Sequence, residues 1–549
     1  MASKQWILVF KRVILVGLTA LTFIVVSFSL IQSWSEPQIS SRLELYQTNL
    51  ILHAAEWQTE SSTVVQNDSQ RSPDLTKARN ALIGDRPIQT AQKQYQEARQ
   101  VAQKSLEKTQ KQLQQLEAVS ATPPSETTPD LPIPLVSKTP DTAQLKKTLL
   151  LSIAELEKLI NELDLRLGLL QADQGETKPA LQTWTQLINR TAAQADDKPL
   201  KQTAAVLVGL WSDPPRLQPD ADKQIQTNLD SWFRYRSLTQ LYKLQPRPDA
   251  LAALQTQEQK IAQQAILKLG IVTGLPVIGC LLGVGLLIFM VVQLLIQGKR
   301  SLLAHNANTP WLTLWDAETI WQVFILGFFF PAQILFPTLL PVVFDLLAID
   351  PSSFDVRAKA FYVLGSYLLM SGVGLYVLYL SIKPFFPLPE GWFRIPVKDR
   401  WFLWGWGGYF VALPLVILVS VINQKLWQGQ GGSNPILPIA LEGRDGAALL
   451  IFFLTASVAA PIFEEVMFRG FLLPSLTRYL PVWAAISLSG FLFAIAHLSL
   501  SEVLPLMTLG ILLGVVYTRS RNLLASILLH SLWNSGTLLS LFILGSGSR

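Results

Sequence analysis

The sequence predicts an all-α, polytopic helical membrane protein of about nine spans, with a helical extramembrane domain between the first span and the second. Of its 549 residues 50% are hydrophobic and only 15% are charged, and the mean hydropathy is +0.31. A soluble chain of this length rarely balances so far to the apolar side. The excess is concentrated at the amino terminus and from about Leu269 onward, in runs of roughly 20 nearly uncharged residues, enough to cross a hydrocarbon core of about 30 Å. The stretch between them, residues 35–265, is rich in Gln, Leu, Ala, Lys and Glu with few strand signals, so helix is its default. A purely soluble enzyme is excluded.

Residues 1–34 read as an uncleaved signal anchor. Lys4, Lys11 and Arg12 precede or open the apolar run Ile7 to Trp34, and no small-x-small cleavage site follows it. The amino terminus is then cytoplasmic and residues 35–265 extracytoplasmic. Within that domain a polar helix near Thr90 to Val119 carries Tyr95, Leu106, Leu113 and Leu116, the pattern of a hairpin arm or short coiled coil. Residues 120–142 hold six prolines and read as an extended linker. Helix resumes at about Ala143. The offsets of Leu167-Gly168, Gly175, Ala180 and Trp184 give a hairpin at about 160–195 that is partly like a tetratricopeptide repeat, although such units need neighbours and only one copy is found.

Membrane helices fill residues 266–430, and residues 440–545 form a last membrane domain. Spans are expected near 269–296, 318–346, 359–382, 401–423, 446–479, 482–499, 503–518 and 522–543. Residues 34–265 hold 26 Lys and Arg against 27 Asp and Glu, so the net charge of +6 arises beside the apolar segments. There it acts as orientation charge and forms no patch for nucleic acid. Lys299-Arg300, Lys383 to Arg400, Arg478 and Arg519 to Arg521 all fall on one side of an alternating topology. A bacterial plasma membrane or a thylakoid-type membrane suits such a chain. The lone cysteine, Cys280, excludes an intrachain disulfide.

Ionisable residues inside spans are costly and therefore point to function. Away from the span ends they are Asp345, Glu464, Glu465, Arg469, His497 and His530. Asp345 reads as an interfacial carboxylate, Trp401, Trp404 and Trp406 as an aromatic belt, and His53 and His305 as histidines without companions. Glu464 lies 16 residues before a turn at Leu480 and His497 about as far after it, which puts both near 24 Å from one membrane face at 1.5 Å per residue. His530 and Asn534 are i, i+4 on a third helix, as are Phe493 with His497 and Glu465 with Arg469 on theirs. Glu465 can neutralise Arg469 while Glu464 turns toward the histidines. A carboxylate beside imidazole in a partly dry cavity is what activation of water requires.

At these residues the chain resembles the CAAX-processing and bacteriocin-immunity membrane proteases, also called CPBP or Abi proteins, whose eukaryotic relative is the type II CAAX prenyl endopeptidase. Glu464-Glu465-Val466-Met467-Phe468-Arg469 matches EExxxR, Phe493 to His497 matches FxxxH and His530 to Asn534 matches HxxxN. The resemblance covers about residues 440–545. It implies an intramembrane endopeptidase of the glutamate type acting on a membrane-associated protein or peptide, including lipidated ones. In it Glu464 is the general base, His497 shares the attacking water, His530 and Asn534 donate to the oxyanion, and Glu465, Arg469 and Phe493 support them.

No cofactor is required by this chemistry. A zinc ion held by Glu464, His497 and His530 is the alternative, weakened by the lack of an HExxH pair and by Asn534, a poor zinc ligand. The competing class is a membrane scaffold or chaperone whose outer helical domain binds a protein partner while the buried polar cluster only locks helices together.

Overall fold

The computed structural model describes residues 2–34, 40–58, 79–80, 82–121, 142–191, 198–427, 431–432 and 445–546, and among these there is no strand. Most of the proline-rich stretch 120–142 lies outside them. The chain divides into two compact units, Ser40–Gly270 and a membrane unit of Met1–Ile39 with Ile271–Ser546.

The first unit is a stack of helices. Pro87–Ala121 packs along Thr142–Asp173, burying Ala91, Tyr95, Ala102 and Leu106, residues spaced by four and seven and so aligned on one helix face. Thr142–Asp173 and Thr177–Arg190 form a tight antiparallel pair joined through Gly175 at φ +81°. Its closeness depends on Gly168: a Cβ there would stand 2.3 Å from Nε1 of the buried Trp184, which donates to Leu165 O at 3.1 Å. Lys198–Trp211, Ala221–Asn228, Ser231–Leu244 and Pro248–Leu269 complete the unit, with Trp232, Phe233, Leu207 and Leu241 at its centre. His53, expected to stand without companions, is instead buried between Glu258 and Ser231. Its partners are 178 and 205 residues away in the chain, a pairing no local spacing can announce.

Among the described residues of the membrane unit eight segments are long and apolar enough to cross a bilayer: Val9–Ser33, a segment within Pro248–Arg300 whose apolar part is Leu275–Gln297, Ala317–Leu346, Val356–Phe385, Trp401–Trp427, Gly446–Leu476, Leu500–Ser520 and Leu523–Gly545. The span expected at 482–499 is shorter than that. It is the helix Val482–Ile495, about 21 Å long at the α-helical rise. Ala496 caps it, Leu498 takes the left-handed conformation at φ +58°, and Ser499 and Ser501 then bond to the carbonyls of Gly431 and Gly432. These turns end the helix before it has the length of its neighbours.

Loops alternate between two ends of this unit. At one end Arg519 Nε donates to Leu303 O, Leu523 N to Arg394 O, Asn522 Nδ2 to Pro396 O, and Arg478 to Trp315 O. The basic loops grouped by sequence thus meet on one face, around the packed Trp311, Trp315 and Trp392. At the other end Trp34 meets Trp427 edge-on at 5.5 Å and Leu500 N donates to Ser33 Oγ. Asp316, Asp355, Asp445 and Asn522 cap helix starts by accepting from first-turn N–H groups. Outside the spans, the N–H of Thr319 on Asp316 holds that carboxyl below its usual range.

The helices that carry the motifs cross closely. A Cβ on Gly510 would lie 2.8 Å from the Cα of Gly490, so Val482–Ile495 and Val503–Ser520 touch backbone to backbone. Leu523–Gly545 packs against Ala460–Glu465. An aromatic layer of Phe324, Phe328, Phe463, Phe468 and Phe471 walls the region.

Candidate active site

Glu464 and Glu465 close the six-residue α-helical piece Ala460–Glu465, which is flanked by π-helical turns at Thr455–Ala459 and Val466–Leu472. Such widened turns inside α-helices recur at functional sites. In a regular helix consecutive residues point about 100° apart. Here both carboxylates nevertheless reach the same imidazole, that of His530.

Glu465 is fully buried, and its Oε1 accepts from Arg469 Nη1 at 2.7 Å and from His530 Nδ1 at 3.0 Å. The buried Arg469 spends Nη2 on Gly510 O at 3.0 Å, a carbonyl at the glycine crossing, and its guanidinium lies 4.5 Å from the Phe493 ring centroid. The i, i+4 pairing expected of Glu465 and Arg469 is present, and it extends beyond its helix to the histidine. A buried carboxylate with two cationic or donating partners is a sound anchor, since removing either partner would strand charge in a dry interior.

Glu464 has a different setting. Its side chain is 15% exposed, and Oε1 accepts from Tyr367 Oη at 3.1 Å. Oε2 has no hydrogen-bond partner among the described residues and stands 3.9 Å from His530 Nε2. That distance is too long for a direct bond and invites a water that both atoms share. Tyr367, on Val356–Ile382, escapes sequence reasoning: it is one of four tyrosines on an apolar helix and belongs to none of the motifs.

His497 lies on the turn after Val482–Ile495 and so outside any spanning helix, a departure from the expected span. Its Nδ1 bonds to Phe493 O at 2.8 Å. Because a carbonyl only accepts, Nδ1 carries the proton and Nε2 is left for other partners. Phe493 is the common wall: its ring meets His497 edge-on at 4.9 Å between centroids and His530 at 5.6 Å. Asn534 donates from Nδ2 to Ala456 O at 2.7 Å, a carbonyl of the first π-helical turn, which fixes the amide and leaves its second N–H. The structure therefore bonds Glu465 to Arg469 and His530 directly and sets Glu464 3.9 Å from the same imidazole. It joins His497 to them through Phe493, and ties Asn534 to the glutamate helix.

Among the described residues no group of three or more His, Cys, Asp or Glu side chains is spaced to hold a metal ion. The zinc set considered from sequence, Glu464, His497 and His530, does not meet that spacing, and no step below passes through a metal.

Residues 446–536 match the family model described as type II CAAX prenyl endopeptidase Rce1-like. All seven motif residues lie inside that segment. A curated relative, "Putative membrane peptidase YdiL" of Bacillus subtilis (strain 168), is 25% identical over 133 residues, which are 24% of this chain and 53% of the relative. The chain thus spans about half the length of that relative. No solved structure matches it. The three motifs thus all lie within residues 446–536, the segment of this chain that is similar to the CAAX-protease family.

Proposed function

We propose that the chain hydrolyses a peptide bond in a membrane-associated protein, with Glu464 activating the attacking water. The observation that supports this best is Oε2 of Glu464, which has no hydrogen-bond partner among the described residues and stands 3.9 Å from an imidazole nitrogen of His530. Glu464 takes the proton from water as the oxygen attacks the carbonyl carbon. His497, with Nε2 unprotonated, holds the same water. His530, held through Nδ1 by Glu465, presents Nε2 to the oxyanion, and Asn534 adds its remaining N–H. The proton held by Glu464 then passes to the departing amine.

The substrate class is a protein or peptide held at the membrane, and lipidation is one handle by which it is presented. The test is cleavage of a peptide library, with and without prenyl groups, by the purified chain in lipid nanodiscs. Loss of cleavage in Glu464→Gln and in His497→Ala supports the assigned roles. Cleavage unaltered in Glu464→Gln would overturn them. A chelator should leave the activity intact, and loss of activity restored by added zinc would replace the metal-free mechanism. Absence of any proteolysis, with capture of one defined partner by the outer unit, would favour the scaffold.

A further inference from the structure

The Ser40–Gly270 unit contains a second constellation with its own chemistry. His53, on Ser40–Ala55, lies between two side chains brought from elsewhere in the chain: Nδ1 is 2.5 Å from Glu258 Oε1, on Pro248–Leu269, and Nε2 is 2.8 Å from Ser231 Oγ, at the start of Ser231–Leu244. An ionised carboxylate only accepts, so Nδ1 holds the proton and Nε2 accepts from the Ser231 hydroxyl. This is the order serine, imidazole, carboxylate, in which the acid fixes the tautomer and the ring acts as base toward the hydroxyl.

Two independent features distinguish the trio from a buried polar knot. Ser231 stands at φ +54°, in the left-handed region, as the first residue of its helix. A strained serine entering a helix places its oxygen and the next N–H groups on the same side, and such strain is retained where function uses it. Moreover, all three residues line one cleft of about 500 Å³, the size that receives a small organic molecule. Its walls include Tyr235, Leu238, Leu254 and Ile261, with Arg234 at its edge. Arg234 N already bonds to Asp230 O, whereas the N–H groups of Trp232 and Phe233, in the first helical turn, have no acceptor within the helix.

We propose that Ser231, His53 and Glu258 form a second hydrolytic site that cleaves carboxylic esters with an apolar acyl group. Ser231 Oγ bonds to the acyl carbon as its proton passes to His53 Nε2. The carbon–oxygen bond to the alcohol then breaks and the alcohol leaves with that proton. Water attacks the acyl-serine, gives a proton to His53, and releases the carboxylic acid as Ser231 recovers its hydroxyl proton. The first-turn N–H groups of the serine's helix are the donors for the oxyanion. This inference is independent of the membrane site.

The experiment uses the full-length chain in detergent. Treatment with a fluorophosphonate probe, followed by digestion and mass spectrometry, is expected to place the adduct on Ser231, and p-nitrophenyl butyrate should be hydrolysed. In Ser231→Gly the adduct should vanish and hydrolysis fall by about 10³- to 10⁴-fold. Glycine adopts the same φ without strain, so this variant should melt close to the parent. His53→Gln and Glu258→Gln should lose hydrolysis while Ser231 stays in place. No adduct on Ser231 in the folded parent, or hydrolysis unchanged in a folded Ser231→Gly, overturns the proposal and leaves the trio as a tie between three helices.

Discussion

His530 serves two glutamates at once: its Nδ1 bonds to Glu465 at 3.0 Å while its Nε2 faces Glu464 at 3.9 Å. Oε2 of each glutamate lacks a hydrogen bond among the described residues, but Glu465 is fully buried and held through Oε1 by Arg469 and His530, whereas Glu464 is 15% exposed. The first holds the helices, and the second is available for chemistry.

That separation gives opposite expectations for the two residues. Glu464→Gln keeps an acceptor for Tyr367 and should melt near the parent, yet lose peptide turnover by about 100-fold or more. Glu465→Gln should instead lower the melting temperature, because Arg469 is left as a buried uncompensated charge. Turnover and thermal unfolding measured on the same two preparations decide this.

Arg469→Met should destabilise the membrane unit by about 3 to 5 kcal/mol, the range for breaking a buried pair. Combining it with Glu465→Gln should recover much of the loss, since no charge then remains unpaired. Denaturation of both variants in mixed micelles is the measurement, and a double variant weaker than the sum of its parts would contradict the pairing.

Tyr367→Phe removes the one hydrogen-bond donor to Glu464 among the described residues without changing shape. Turnover should fall by about tenfold, the scale of one hydrogen bond to a charged group, with little change in melting. An unchanged rate would mean that the phenol only fills space.

Gly168→Ala tests the helix pair in the Ser40–Gly270 unit. A Cβ at 2.3 Å from Trp184 Nε1 forces the helices apart or the indole out of place, at a cost of about 1 to 3 kcal/mol. Trp184→Leu in the same chain should relieve part of that strain. Near-ultraviolet circular dichroism and melting temperature report both changes.

At Asp316 the sign of a pH effect follows from its lowered pKa. A carboxyl whose folded value lies below its unfolded one stabilises the fold above the unfolded value, and this contribution is lost as pH falls through the folded value. Hydrogen exchange at the first turn of Ala317–Phe324 should therefore quicken on acidification through that window. In Asp316→Ala it should already be fast at neutral pH.

Much of the membrane unit was legible because hydropathy, short basic loops and i, i+4 pairs are local properties. Glu465 with Arg469, and the grouping of Arg394, Arg478 and Arg519 at one end, follow from such rules. Tyr367 was not legible, since nothing along its own helix marks one tyrosine from the next. The length of Val482–Ile495 was hidden for a related reason: apolar residues continue to Leu498 and Leu500, and the helix is ended by bonds to glycines 431 and 432. His53 shows the same limit in the Ser40–Gly270 unit, where histidine, serine and glutamate become neighbours only through the packing of three helices.

A helix of about 21 Å in a layer with a hydrocarbon thickness of about 30 Å obliges the lipid to adapt. A bilayer that follows this helix where it meets lipid thins beside His497. Water would then reach this imidazole by a surface depression at the lipid boundary, and a scissile segment entering from the same side would have only a few ångströms of oily barrier to cross.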